Sequence, residues 1–278
     1  MAILLCIASP LAAQLQLPTV EGVTTVENER VMLVFWNGEE EIILSCPVIT
    51  ATQPSDVLQI MPLPAESKMR AGTLDEYQAA GALIRKYFVT MKGGRLSLAN
   101  YELAESLPKG DRTEAKEVAT VNLSNERAFN TWLTDYSKPA SRPNIPSAFS
   151  KGLNLALKND SNWLAIQSVP VDTTARAIGP TVYRFKSSKL FVPLRVHSTQ
   201  SGKANIRIIT FTPNYLSWSP DNGAKFCPPI TESFRVMGKE VAAIHPDLVD
   251  FFKPGKIPMQ AWQITADWSL VNKDLISQ

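Results

Sequence analysis

One hairpin constrains this sequence more than any other feature. Residues 29–36 form an extended run that is apolar on both faces, Asn37-Gly38 interrupts it, and residues 39–46 continue as its partner. Asn-Gly suits the two central positions of a type I′ turn, where both φ angles are positive and the backbone follows the strand twist. A strand without a polar face has no side to give to water. The hairpin therefore belongs inside a layered domain rather than on a half-solvated sheet.

Other elements follow from period and punctuation. Residues 57–64 are extended, and Pro62 and Pro64 lack ladder donors, so their end should be an edge, a bulge or a departure from the sheet. A helix is expected over residues 74–88, with Thr73 and Glu76 as a capping box. Gly93-Gly94 punctuates it, and residues 95–103 return to a strand-like pattern. Residues 117–121 form a short strand, and Asn125 caps a helix whose apolar face carries Ala128, Phe129, Trp132 and Leu133. Residues 137–147 hold Pro139, Pro143 and Pro146 and read as a linker or long loop before a helix through Phe149, Leu153 and Leu157.

Strands are then expected at 162–169, 181–186, 189–197, 205–211, around 234–236 and at 259–266, with a short helix at 247–252. The second and third of these flank Ser187-Ser188. Strand and helix do not alternate at the spacing of a doubly wound sheet. The expected class is α+β: β-rich segments with an N-terminal hairpin, a helical middle and a second group of mainly antiparallel strands. Residues 14–278 are read as one large domain, with two lobes divided near 137–147 as the alternative.

Residues 1–13 combine an apolar run, Ile3 to Ala8, with the small-residue stretch Ser9-Pro10-Leu11-Ala12-Ala13, as at the end of a secretory signal peptide. No Lys or Arg precedes the run, so a leader truncated at its start is also consistent. The expected location is exported, periplasmic or extracellular. No later stretch is apolar for the roughly 20 residues that a membrane helix needs. Beyond the leader stand Cys46 and Cys227. In an oxidising compartment they suggest a disulfide, worth about 5 kcal/mol for a loop of about 180 residues; the alternative is two separate buried thiols.

Sites are harder to find. The 28 basic and 26 acidic residues nearly cancel, which gives no reason to expect a nucleic-acid partner. Only two histidines occur, His197 and His245, and each reads either as a general base or metal ligand or as a hydrogen-bonded or surface side chain. The sequence lacks a Gly-x-Ser-x-Gly elbow, a His-Glu-x-x-His pair and a phosphate-binding glycine loop. No catalytic residue, metal ligand or cofactor is assigned. Glu39-Glu40-Glu41 reads as a solvated hairpin end rather than a cation site. Of six tryptophans, Trp36, Trp132, Trp163 and Trp262 sit in core-like patterns. Trp218, with Tyr215, sits in a loop-like stretch and is the candidate for surface recognition.

Several segments together carry a family resemblance. They are the hairpin from Val31 to Leu44, Ile60-Met61-Pro62-Leu63-Pro64, Phe129-Asn130-Thr131-Trp132-Leu133, Trp163-Leu164-Ala165-Ile166 and Tyr183-Arg184-Phe185. Leu190-Phe191-Val192-Pro193-Leu194-Arg195-Val196 and Ile264-Thr265-Ala266-Asp267 complete the set. The chain thereby resembles a secreted bacterial family known as domain of unknown function 2330. The resemblance implies export and brings no established activity or catalytic residue. Members carry cysteines soon after the leader, and this chain has none there. The expected function is a non-enzymatic binding or structural component of the cell envelope or extracellular space, with a protein or glycan partner. The alternative is a hydrolase whose site is assembled from distant residues.

Overall fold

The computed structural model describes residues 14–91, 112–137, 143, 145–158, 162–199, 203–216, 226–227, 234–271 and 273–276. The chain opens with strands β1 (Leu15–Pro18), β2 (Thr25–Trp36), β3 (Glu40–Ala51), β4 (Ser55–Leu63) and β5 (Ser67–Ala71), then helix α1 (Leu74–Met91). The middle holds β6 (Arg112–Thr113), β7 (Lys116–Asn122), α2 (Glu126–Tyr136), α3 (Ser147–Leu157), β8 (Trp163–Val171), β9 (Arg176–Ile178), β10 (Thr181–Lys186) and β11 (Phe191–Val192). The last part holds β12 (Lys203–Phe211), β13 (Phe226–Cys227), β14 (Phe234–Met237), α4 (Gly238–Ala242), β15 (Lys256–Asp267) and β16 (Leu275–Ile276).

Two sheets stack face to face. The larger has the order β13-β15-β12-β2-β3-β10-β5, with β14 also on β15 and β9 on β3; the smaller has the order β1-β4-β8-β7. Pairing is antiparallel except for β12 on β2 and β6 on β9. On one face of β2, Val31, Leu33 and Phe35 pack with Tyr77, Ala80 and Ile84 of α1. On its other face, Met32 and Val34 join Met61, Leu63 and Ala165 of the smaller sheet. The smaller sheet turns Leu58, Ile60, Leu164 and Ile166 outward onto Phe129 and Leu133 of α2 and Phe149 and Leu153 of α3. The result is four layers, helix–sheet–sheet–helix, as expected of a hairpin with two apolar faces.

The inter-sheet layer also buries an ion pair. Arg30 donates to both carboxylate oxygens of Glu27 at 2.7 Å and to Ser45 Oγ at 2.7 Å, and both charged side chains are 0% exposed. Three residues apart on a strand, Glu27 and Arg30 should point to opposite faces. The register shifts between Glu27 and Glu29, so Asn28 is an extra residue in a β-bulge and the two side chains meet on one face.

Several expectations are corrected. The hairpin forms, but its turn is not type I′: Gly38 has φ +104, whereas Asn37 is not among the positive-φ residues. The Asn37 side chain instead accepts from the amides of Glu39 (2.9 Å) and Glu40 (2.8 Å) and closes the loop itself. Glu41 is fully buried, not solvated; it accepts from the Phe191 amide at 2.8 Å, and burial pushes its carboxyl well above the usual range. Residues 189–197 do not form a hairpin partner for β10, which lies between β3 and β5. They form only β11, paired with β16, and a 3-10 turn at Arg195–Thr199. Strands from beyond residue 160 interleave with the early ones in both sheets, so 137–147 does not divide two lobes.

The disulfide is corrected too. Cys227 pairs with Gln263, Gln263 with Arg207, Arg207 with Val31 and Val31 with Cys46. Four strand spacings of about 4.8 Å put the two cysteines about 19 Å apart along one row of the sheet. A disulfide requires Cα atoms within about 7 Å. The Cys46 thiol is buried and donates to the Ile178 carbonyl at 3.1 Å. The residues of the expected leader and of the strand at 95–103 lie outside the described residues.

Two outcomes follow from this packing. Glu27→Ala leaves the Arg30 guanidinium buried without its carboxylate and should cost about 3–5 kcal/mol in urea denaturation. Dithiothreitol should leave the melting temperature of the purified protein unchanged; a reducible stabilisation would contradict the register of Cys46 and Cys227.

Candidate functional site

The most chemically dense point is where β5, α1 and the 3-10 turn Pro246–Leu248 meet. His245 is the residue before that turn; its backbone is extended, and its Nδ1 accepts from the Asp247 amide at 3.0 Å. Pro246 follows at the first helical position, where a missing N–H costs nothing. Nε2 lies 3.5 Å from Glu76 Oε1 and also meets the Arg70 guanidinium. The Arg70 guanidinium thus lies against both ring nitrogens, 3.1 Å from Nδ1, and donates to Asp247 Oδ2 at 2.9 Å. Burial first, and then the Arg70 charge, push the imidazole below its ordinary value against the opposing pull of Asp247 and Glu76. Burial alone would raise the Asp247 carboxyl, but the Arg70 hydrogen bond and charge outweigh it and hold that carboxyl low.

A histidine, a carboxylate and a hydroxyl do meet here, but in the wrong order for nucleophilic catalysis. Thr73 Oγ1 donates to Glu76 Oε2 at 2.7 Å, and the Thr73 amide donates to the same oxygen at 2.5 Å. The hydroxyl faces the carboxylate instead of the imidazole, whereas an activated nucleophile has to face its base. His245 is also only 1% exposed. The grouping acts as a joint that fixes the start of α1 against β5 and the 3-10 turn, with Glu76 in the helix-capping position expected of it.

Next to this joint a groove of about 170 Å³ opens where β5 and β10 face β7 and β8. Glu114 and Glu117 line it, with Thr181 and Gln167 alongside. Gln167 belongs to a polar row across the smaller sheet, where Gln16 pairs with Gln59, Gln59 with Gln167 and Gln167 with Glu117. Thr181 donates to Gln167 and Gln167 to Gln59, both at 2.7 Å, while Gln16 donates to Glu27 at 3.3 Å. Polar contacts thus run inward from the groove toward the buried ion pair. Between the opposed residues Gln59 and Gln16, Nε2 of the first and Oε1 of the second have no hydrogen-bond partner among the described residues.

The residues singled out from the sequence are scattered. Tyr215 is 41% exposed, with the Arg235 guanidinium 5.3 Å from its ring centroid. Trp218 lies outside the described residues, as does the His197 side chain, although its backbone is in the Arg195–Thr199 turn. Trp262 is buried, whereas Trp36, Trp132 and Trp163 are only partly so. Among the described residues no three His, Cys, Asp or Glu side chains converge as a metal site, and no helix is long and apolar enough to cross a membrane. Sequence reasoning missed Arg70, Asp247 and Gln167. Arg70 and Asp247 meet across 177 positions, and no local pattern announces such a contact.

No family model matches the chain, and no curated protein matches it. Among solved structures, the crystal structure of baculovirus P35 is similar, with a TM-score of 0.49 over 93% of this chain and 97% of that chain, at 10% identity. A similarity of that degree carries no argument about function.

The depressed imidazole makes stability depend on pH. The unfolded chain binds the proton more readily than the folded one, so the contribution of His245 is complete above its ordinary value of about 6.5 and is lost as pH falls below it. His245→Asn keeps an acceptor for the Asp247 amide and removes the titration. Chemical denaturation from pH 7.5 down to 5 should show the native protein losing stability relative to this variant.

Proposed function

We propose that this chain is an exported, non-enzymatic binding or structural protein of the cell envelope or extracellular space. The observation that carries this reading is the condition of His245. Its ring is sealed from solvent, Nδ1 is held by the Asp247 amide, and Nε2 is closed off by the Arg70 guanidinium and Glu76. A histidine so placed holds backbone in position and does not reach a substrate. Export is supported by the leader-like residues 1–13 and by the resemblance to an exported family of unknown function. The grooves beside β5 and beside α4 supply concave surface of the kind that binding proteins use.

The test is a thermal-shift screen of the full chain against glycan fragments, peptides and divalent cations, run beside chromogenic ester, amide and glycoside substrates. A ligand at about 100 times its Kd adds about 2.7 kcal/mol of stability, enough to move the transition visibly. One ligand class should shift it, with no turnover of any substrate. Turnover that disappears in His245→Asn would replace this reading with the hydrolase.

A further inference from the structure

We infer that the surface running from Tyr215 along β14 into the groove beside α4 docks an acidic peptide segment with an aliphatic or aromatic anchor, which deepens the binding reading above and rests on it. The groove, about 390 Å³, lies between the start of α4 and residues 248–255. Met237, Val249 and Phe252 give it apolar walls over the buried Leu248. Seven large hydrophobic residues are exposed on the described surface, and three of them, Tyr215 (41%), Met237 (37%) and Val249 (62%), belong to this strip. Arg235 and Met237 are alternate residues of β14 and share its exposed face, about 7 Å apart. Arg235 also meets the Tyr215 ring, so strip and groove are continuous.

Charge selects the partner. Arg235, Lys239, Lys253 and Lys256 are all exposed here, and none has a carboxylate within ion-pair distance among the described residues. Among the described residues, Asp250 is the one acidic residue of the groove lining. Glu240, nearby, is already engaged by Lys86, by the Tyr87 hydroxyl and by the Met237 amide at 3.0 Å. Four exposed cations without a carboxylate partner among the described residues, beside Asp250 and the already engaged Glu240, stand out in a chain whose net charge is only +2. Complementary charge around an apolar anchor is how such surfaces choose partners.

The groove is also built in advance. The Gly238 amide donates to the Gly255 carbonyl at 2.9 Å, and the Asn37 side chain of the β2–β3 hairpin donates to the Phe251 carbonyl at 3.0 Å. The anchor enters a concavity, which favours a peptide side chain over a bilayer; membrane surfaces are bound by apolar side chains on a protruding face.

A random peptide display library panned on the full chain, and on the double variant Lys239→Glu with Lys253→Glu, tests this. Both substitutions are at exposed positions, and an unchanged melting temperature verifies the fold. Peptides enriched on the native protein should carry Asp or Glu around Leu, Ile or Phe. A synthetic representative should bind the double variant and Val249→Asp at least about tenfold more weakly, and should weaken as salt screens the charges. Enriched peptides that bind the variants equally well would overturn the assignment of the surface while leaving the binding reading in place. No enrichment would overturn the peptide, and so would binding of phosphatidylserine vesicles that the double variant loses.

Discussion

A strand with no solvent face imposes the rest of this architecture. Burying β2 on one side requires α1, and burying it on the other requires a second sheet. That second sheet has its own outer face to cover, which α2 and α3 supply. Each layer is thus the consequence of the one before it, and the molecule stops where the outer faces of the helices meet water. At roughly 25 cal/mol for each Å² of apolar surface removed from water, stacked layers of this kind are what offsets the entropy of ordering so long a chain.

The inter-sheet layer carries more polarity than burial alone would favour. A bidentate Arg30–Glu27 pair and a row of glutamines lie among Met32, Val34 and Trp262. Such a pair seldom adds net stability, because both charges leave water. What it supplies is register. A one-residue slip of β2 would turn Met32 and Val34 away from the smaller sheet and strand Arg30 against α1. The bulge at Asn28 and the charge pair therefore specify a single alignment of the central hairpin.

The elements most legible in the sequence depend on neighbours in the chain. Glu76 reaches back to the Thr73 amide and Asn125 caps the Ala128 amide because those contacts span three residues. Of the expected capping box at Thr73, this Glu76 half forms, while the Thr73 hydroxyl itself donates to Glu76. The strand at 57–64 behaves as its prolines require: β1 pairs with β4 only as far as Ile60, which leaves Pro62 beside β8 alone. What was illegible depends on distant contacts. Glu41 looked solvated because its partner, the Phe191 amide, is 150 positions away. The joint at His245 was invisible for the same reason, since Arg70 comes from β5 and Glu76 from α1. The cysteine pairing depended on sheet order, which periodicity does not encode.

The parallel pairing of β12 with β2 has a consequence for how the molecule comes into being. The central strand acquires its second neighbour only when residues 206–211 arrive, some 170 positions after it has been made. Until then one edge of the hairpin offers unpaired amides and carbonyls to any extended chain nearby. Contacts of such long sequence separation close slowly, because the loop entropy is lost before the pairing returns anything. A nascent chain therefore has no finished N-terminal half to shelter in. Folding waits on the C-terminal strands, and any device that keeps the growing polypeptide from self-association has to act over most of its synthesis.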